Sequence, residues 1–394
     1  MLDIYIVDVY DNRLTGYTTY KKHLSQIVVS LGYRCHNIIL SSTYNYLCVE
    51  NKDEMELIYV PMCHIKTTGT LLKLYIEDCK TNVFMQHFST SYPTLSMLKQ
   101  NFPKSKLVYV IHDFIWATYV MGNVELFKKI VRDNVEHKYK DIICSSYYDG
   151  VKSFNLVDKV VCLSSDTNNI LNGFYKIDNC KIVQISNGLE DNSNTPIIND
   201  SLIRKRYNIS EDDCVYLFVG RLTEQKGFFD LVRAFSLLKN DVKKTKLVCA
   251  GNYDSGIIKY IDSSIKNDVI LLGVIDKNEL YAWYKKSDFG IIPSFYEQCS
   301  YVAIEMMSFS LPIIALSGMG IKCMFNDNNS YYVENSDSNQ RHVALYKKMK
   351  QAFYSGDFEK ELIRNKSRIN YEQNYTLEIM KENYEKKLFL PLYE

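Results

Sequence analysis

Two cations five residues apart open the chemistry of this chain: Arg221 and Lys226, in VYLFVGRLTEQKGFFDLVRAF. They follow an apolar run ending at Gly220, and a helix is expected to start near Gly227. Glycine permits a tight turn and a close backbone approach. Cations on a strand-to-helix loop, beside a helix N-terminus, can clamp a diphosphate. Alone, such a pair also reads as solvated loop charge. A second segment, SDFGIIPSFYEQCSYVAIEMMSFSLPII, sharpens the reading. It sets Glu297 in a loop, a helix start near Ser300, and Glu305 about two turns along. Carboxylates suit sugar hydroxyls, and free N–H groups at a helix start suit phosphates. Glu305 lies between Ile304 and Met306, so it is either an ordinary exposed helix glutamate or a buried carboxylate that needs a partner.

The elements that must position these residues are legible as alternating apolar runs and amphipathic stretches. LDIYIVDVY reads as a strand, NRLTG as its loop and YTTYKKHLSQIVVSLGY as a helix ending at Gly32. RCHNIILSS, NVFMQHF, KLVYVIHD, KVVCLSS and CKIVQISNG follow as strands with their trailing loops, suited to a sheet buried on both faces. The polar, aperiodic EDNSNTPIINDS then interrupts the pattern. The alternation restarts with VYLFVGRL, KLVCAGN, VILLGV, FGIIPS and LPIIALS, and the chain is helical and charged from about Tyr346. The expected fold is α/β: two Rossmann-like, doubly wound domains facing a central cleft, with ligands beyond the carboxyl ends of the strands. The expected boundaries are 1–190 for an acceptor-side domain, 191–201 for a linker and 202–370 for a donor domain. Residues 371–394 form a C-terminal helix expected to return to the first domain.

Composition excludes other classes. Lys and Arg number 47 against 46 Asp and Glu, and the two signs balance within each half, so there is no electrostatic footprint for nucleic acid. No apolar run reaches the roughly 18 residues of a membrane span, which leaves membrane contact peripheral at most. MLDIYIVDVYDN lacks the basic start and apolar core of a signal peptide. The 11 cysteines are scattered, with no C-x-x-C, which predicts reduced thiols and a cytoplasmic location.

The combined segments resemble glycosyltransferase family 4, of the GT-B superfamily. GRLTEQKG resembles its donor-phosphate motif, and Glu297 with Glu305 resembles its paired glutamates. ISNGLE, VCLSSDT and VYVIHDF are similar to N-terminal-domain elements, the last ending near an active-site His. The resemblance implies a retaining transferase that uses a nucleotide sugar, a uridine diphosphate sugar in particular. Arg221 and Lys226 would hold the diphosphate, Glu305 the ribose, and Glu297 the transferred sugar beside the N–H groups of Ser300 and Tyr301. His112 would sit near the reacting sugar, and Gly16 would bring backbone N–H groups to the diphosphate. No cofactor and no metal are expected, because cations replace acidic metal ligands. The acceptor would be a glycan, a glycolipid or a peptide. Ser300 stands where the family often has Gly, and NRLTG carries a single glycine where two or more are usual.

The rivals are a nucleotide-sugar epimerase, a non-enzymatic binding subunit of a transferase complex, and a nicotinamide dehydrogenase. The last lacks its G-x-G-x-x-G after the first strand, so Asp8 and Asp11 make poor ribose ligands. His87, which ends a strand, reads as structural in preference to lining the acceptor side. His23, His36, His64, His137 and His342 have no metal-like spacing, and Asp212–Asp213 reads as a solvated turn.

Overall fold

A computed structural model describes residues 1–9, 16–52, 55–62, 64–88, 92–196, 202–334 and 340–393. Most of the first loop, with Asp11, and the second half of the expected linker (197–201) lie outside the described residues. Packing divides the chain into two compact units: 1–187 with 377–394, and 188–376. The divisions fall a few residues from the boundaries read at 190 and 370.

The first unit carries β1 (Asp3–Val9), β2 (Arg34–Ser41), β3 (Cys48–Lys52), β4 (Met55–Pro61), β5 (Asn82–Gln86), β6 (Lys106–Ile111), β7 (Lys159–Cys162) and β8 (Ile182–Gln184). They form one sheet in the order β3-β4-β2-β1-β5-β6-β7-β8. Every pairing is parallel except β3 with β4. Helices cover the parallel strands, so strands such as β5 are buried along their whole length. Helix Gly16–Ser30 follows β1 and ends before Gly32, whose φ of 76° suits glycine. The C-terminal segment packs on this unit: the hydroxyls of Tyr20 and Tyr384 share a hydrogen bond, and Tyr33 meets Phe389 edge-on at 5.7 Å.

The second unit carries β9 (Cys214–Val219), β10 (Thr245–Ala250), β11 (Val269–Gly273), β12 (Phe289–Ile292), β13 (Ile313–Leu316) and β14 (Tyr331–Val333). All its pairings are parallel, in the order β11-β10-β9-β12-β13-β14. This is the doubly wound order, in which the chain reverses direction across the sheet between β9 and β12. Gly220 and Lys226 follow one of those two strands, and Glu297 follows the other.

Glycines let the strand ends converge. Gly220 and Gly251 share a φ of 146°, and Gly273 has 70°. The Gly220 amide donates to Ala250 at 2.9 Å, and that of Gly251 donates to Gly273 at 2.8 Å. A Cβ on Gly251 would lie 1.9 Å from the Gly220 carbonyl oxygen. Gly251→Ala therefore has to move backbone at the sheet edge. We predict a loss of roughly 2 kcal/mol or more, measured by urea unfolding. Gly173→Ala, in open space at a helix end, should change stability by less than about 1 kcal/mol.

Candidate active site

The site of the second unit is built on its switch point. Lys226 is the last residue before Gly227, which caps helix Phe228–Asp241 in the left-handed conformation, at a φ of 73°. The loop after β12 runs from Pro293 to the helix Tyr301–Ser308. A Cβ on Gly227 would lie 2.1 Å from the Pro293 carbonyl oxygen, so the two loops touch backbone to backbone. Gln225 accepts a hydrogen bond from the Phe295 amide at 3.0 Å. Behind them Arg341, 1% exposed, donates to Asp230 at 3.0 Å and to the Pro293 carbonyl at 2.9 Å. Its guanidinium lies 3.6 Å from the Phe295 ring centre. The result at the front is an ion pair: Lys226 Nζ donates to Glu297 Oε1 at 2.6 Å, and Ser294 Oγ donates to the same oxygen at 3.0 Å. The Glu297 amide donates to Met319 at 2.9 Å. The segment carrying Met319 lies so close that a Cβ on Gly320 would come within 1.9 Å of the Glu297 carbonyl oxygen.

Glu305 sits one helix further on and is buried. Tyr284 donates to its Oε2 at 2.7 Å, and Lys277 donates to Oε1. Both partners come from the helix Lys277–Lys286 that follows β11. Burial, and then the carboxylate itself, push the Tyr284 hydroxyl well above the usual tyrosine range, so it remains a donor. At the start of the Glu305 helix, Ser300 Oγ accepts from the Ala303 amide at 3.4 Å. That cap serves the third residue of the helix and leaves the earlier amides outside the intrahelical ladder.

In the first unit, His112 follows β6 and His87 follows β5. Their Nε2 and Nδ1 atoms lie 3.1 Å apart. The helix that begins at Gly16 lays Tyr17 and Tyr20 edge-on against the His112 ring, at 5.0 and 4.4 Å. Burial lowers the His112 pKa to about 3 and also lowers that of His87, where His112 and Lys21 add to the effect. Lys21 is itself paired with Asp8 at 2.6 Å.

Known proteins resemble this chain both in sequence and in fold. Residues 199–369 match the family model described as glycosyl transferases group 1. This match falls within the second unit. It is 26% identical over 230 residues to an uncharacterized glycosyltransferase of Methanocaldococcus jannaschii, a match covering 54% of this chain and 58% of that relative. It is 25% identical over 315 residues to the UDP-Gal:alpha-D-GlcNAc-diphosphoundecaprenol alpha-1,3-galactosyltransferase of Escherichia coli, covering 74% and 76%. In fold it is similar to sucrose-phosphate synthase from Thermosynechococcus elongatus, at a TM-score of 0.73 and 16% identity over 100% and 99% of the two chains. The two parallel-sheet α/β domains thus have the fold of solved GT-B structures.

The predicted site residues all fall within the described part of this fold. Gly220, Arg221, Lys226, Glu297, Ser300, Tyr301 and Glu305 lie at or beyond the carboxyl ends of β9 and β12. Lys226 and Glu297 are in direct contact, whereas Arg221 is exposed. Gly16 opens the helix that packs on His112. Sequence reasoning missed Lys277, Tyr284 and Arg341; His87, read as structural, touches His112. The only sequence signal for the first two was the need of a buried Glu305 for partners.

The histidine pair sets a pH dependence. A histidine whose folded pKa lies below its unfolded value of about 6.5 takes up a proton more readily in the unfolded chain. Its stabilising contribution is complete above about pH 6.5 and is lost as pH falls towards about 3 for His112. Unfolding free energy measured from pH 7 to pH 4 should therefore fall less steeply for His112→Asn than for the wild type. Equal slopes would mean that His112 does not titrate in this way.

Proposed function

We propose that this chain transfers a sugar from a uridine diphosphate sugar to an acceptor hydroxyl with retention of anomeric configuration. The observation that carries the reading is the Lys226–Glu297 pair at the switch point of the second sheet. A lysine and a carboxylate in contact there supply a cation for phosphate and an acceptor for sugar hydroxyls side by side. In this reading Arg221 and Lys226 hold the diphosphate and stabilise the charge that grows on it as the glycosidic bond breaks. The Ser300 and Tyr301 amides, at a helix N-terminus, add to that stabilisation. Glu305 takes the ribose and Glu297 the sugar. His112, neutral through the physiological range, meets a sugar hydroxyl, and Gly16 lets backbone amides approach the diphosphate. No residue is assigned as a covalent nucleophile: front-face attack, with the leaving phosphate helping to take the acceptor proton, fits the side chains present.

The name of the Escherichia coli relative gives it a UDP-galactose donor and a lipid-diphosphate-linked sugar acceptor. This supports a uridine nucleotide here and a glycolipid among the acceptor classes, beside glycans and peptides. Every cysteine among the described residues is free, which supports a cytoplasmic location. Among the described residues no helix is long and apolar enough to cross a membrane.

Lys226→Ala should lower the transfer rate from a UDP-sugar by about two to three powers of ten, as for loss of a key charge stabiliser. Product formation is read by mass spectrometry across a donor panel, with thermal unfolding as the folding control. Unchanged kinetics in a folded variant would sink the assignment. With two cations at the diphosphate, activity should also persist after dialysis against EDTA. A loss restored by magnesium or manganese would show that the donor site needs a metal.

A further inference from the structure

Glu305 is the ribose ligand of the proposed function, and the role argued for its neighbour Lys277 rests on that reading. The two oxygens of Glu305 are held differently. Oε2 accepts from the buried Tyr284 hydroxyl, which fixes the carboxylate from inside. Oε1 accepts from Lys277, whose side chain is 59% exposed while that of Glu305 is 6% exposed. The lysine is therefore the outer partner, standing between the carboxylate and solvent. Its ammonium also lies 5.9 Å from the centre of the Tyr281 ring, one helical turn further along, which limits where it can swing.

We propose that Lys277 is a second ribose ligand, and that with Glu305 it forms a two-sided recognition element for the vicinal diol of the nucleotide. An ammonium carries three donors, and Glu305 uses one of them. A ribose hydroxyl donates once and also accepts. One hydroxyl hydrogen can go to Glu305 while the hydroxyl oxygen accepts from Lys277, so the ion pair and the diol complete one another. Displacing Lys277 from Glu305 would instead exchange an ion pair for a hydrogen bond with only one charged partner. The bridged arrangement avoids that loss. Lys277 is consequently a determinant of ribose over deoxyribose, acting on binding.

The experiment titrates UDP and 2′,3′-dideoxy-UDP calorimetrically against the wild type, Lys277→Met and Glu305→Gln. Lys277 is largely exposed, so Lys277→Met should fold normally, which far-ultraviolet circular dichroism and thermal unfolding check. Lys277→Met is expected to weaken UDP about tenfold, the size of one lost charge-assisted bond, and to leave dideoxy-UDP unchanged. An equal loss with both ligands would place Lys277 on the phosphates and overturn the proposal. Unchanged or tighter UDP binding by Lys277→Met, with weakened binding by Glu305→Gln, would also overturn it: Lys277 would then be a surface ion pair, and the ribose role of Glu305 would stand. If neither variant changed any affinity, the ribose assignment of Glu305 would itself fall, and this proposal with it.

Discussion

The carbonyl oxygen of Pro293 has room for a glycine hydrogen and for nothing larger. A Cβ on Gly227 would come within 2.1 Å of it, and the buried Arg341 fills its remaining approach with a hydrogen bond. Everything at the front of the second unit depends on that contact. It brings the end of the Arg221–Lys226 loop against the start of the Glu297 loop, so that a lysine and a glutamate 71 residues apart meet at 2.6 Å. Arg341 enforces the contact from behind, because it bonds Asp230 on one loop's helix and Pro293 on the other loop. An arginine so buried is costly unless its charge is matched, and Asp230 provides the match.

Much of this was legible from residue types. Buried parallel strands are nearly continuous apolar runs, so β1, β2 and β5 to β13 could be read from sequence. The antiparallel β3–β4 hairpin could not. CVENK pairs along an exposed edge, where only backbone hydrogen bonds define a strand and no apolar pattern is needed. β14 is three residues long, too short to carry a period. The site divides in the same way. Lys226 and Glu297 were visible because both follow recognisable strands. The partners of Glu305 were not, since Lys277 and Tyr284 lie on an amphipathic helix whose pattern explains them equally well as surface and core. Arg341 opens the helix Arg341–Tyr354, just after residues outside the described part of the chain, and nothing in its neighbourhood signals burial.

The two glutamates also differ in a way their spacing does not reveal. Glu297 shares one oxygen between a lysine and a serine hydroxyl, in a loop held by backbone contacts to Met319 and Gly320. Glu305 is held by side chains alone, through both of its oxygens. The first is positioned by where the chain runs, the second by what surrounds it. Substitution of a nearby glycine would disturb Glu297, whereas Glu305 is sensitive to the side chains of one neighbouring helix.

The pairing of His87 with His112 has a consequence for polarity. Two neutral imidazoles can share a contact between Nδ1 of one and Nε2 of the other only if a single hydrogen lies between them. Each ring then keeps one further nitrogen, and the two tautomeric arrangements give those nitrogens opposite characters. His87 Nε2 is buried and has no hydrogen-bond partner among the described residues. A bare lone pair is easier to leave there than an orphaned N–H, since buried donors without partners are the rarer case. His87 therefore donates through Nδ1, the hydrogen of His112 resides on Nδ1, and His112 offers any hydroxyl beside it a donor. The polarity of the outer nitrogen of His112 is decided on the far side of its neighbour.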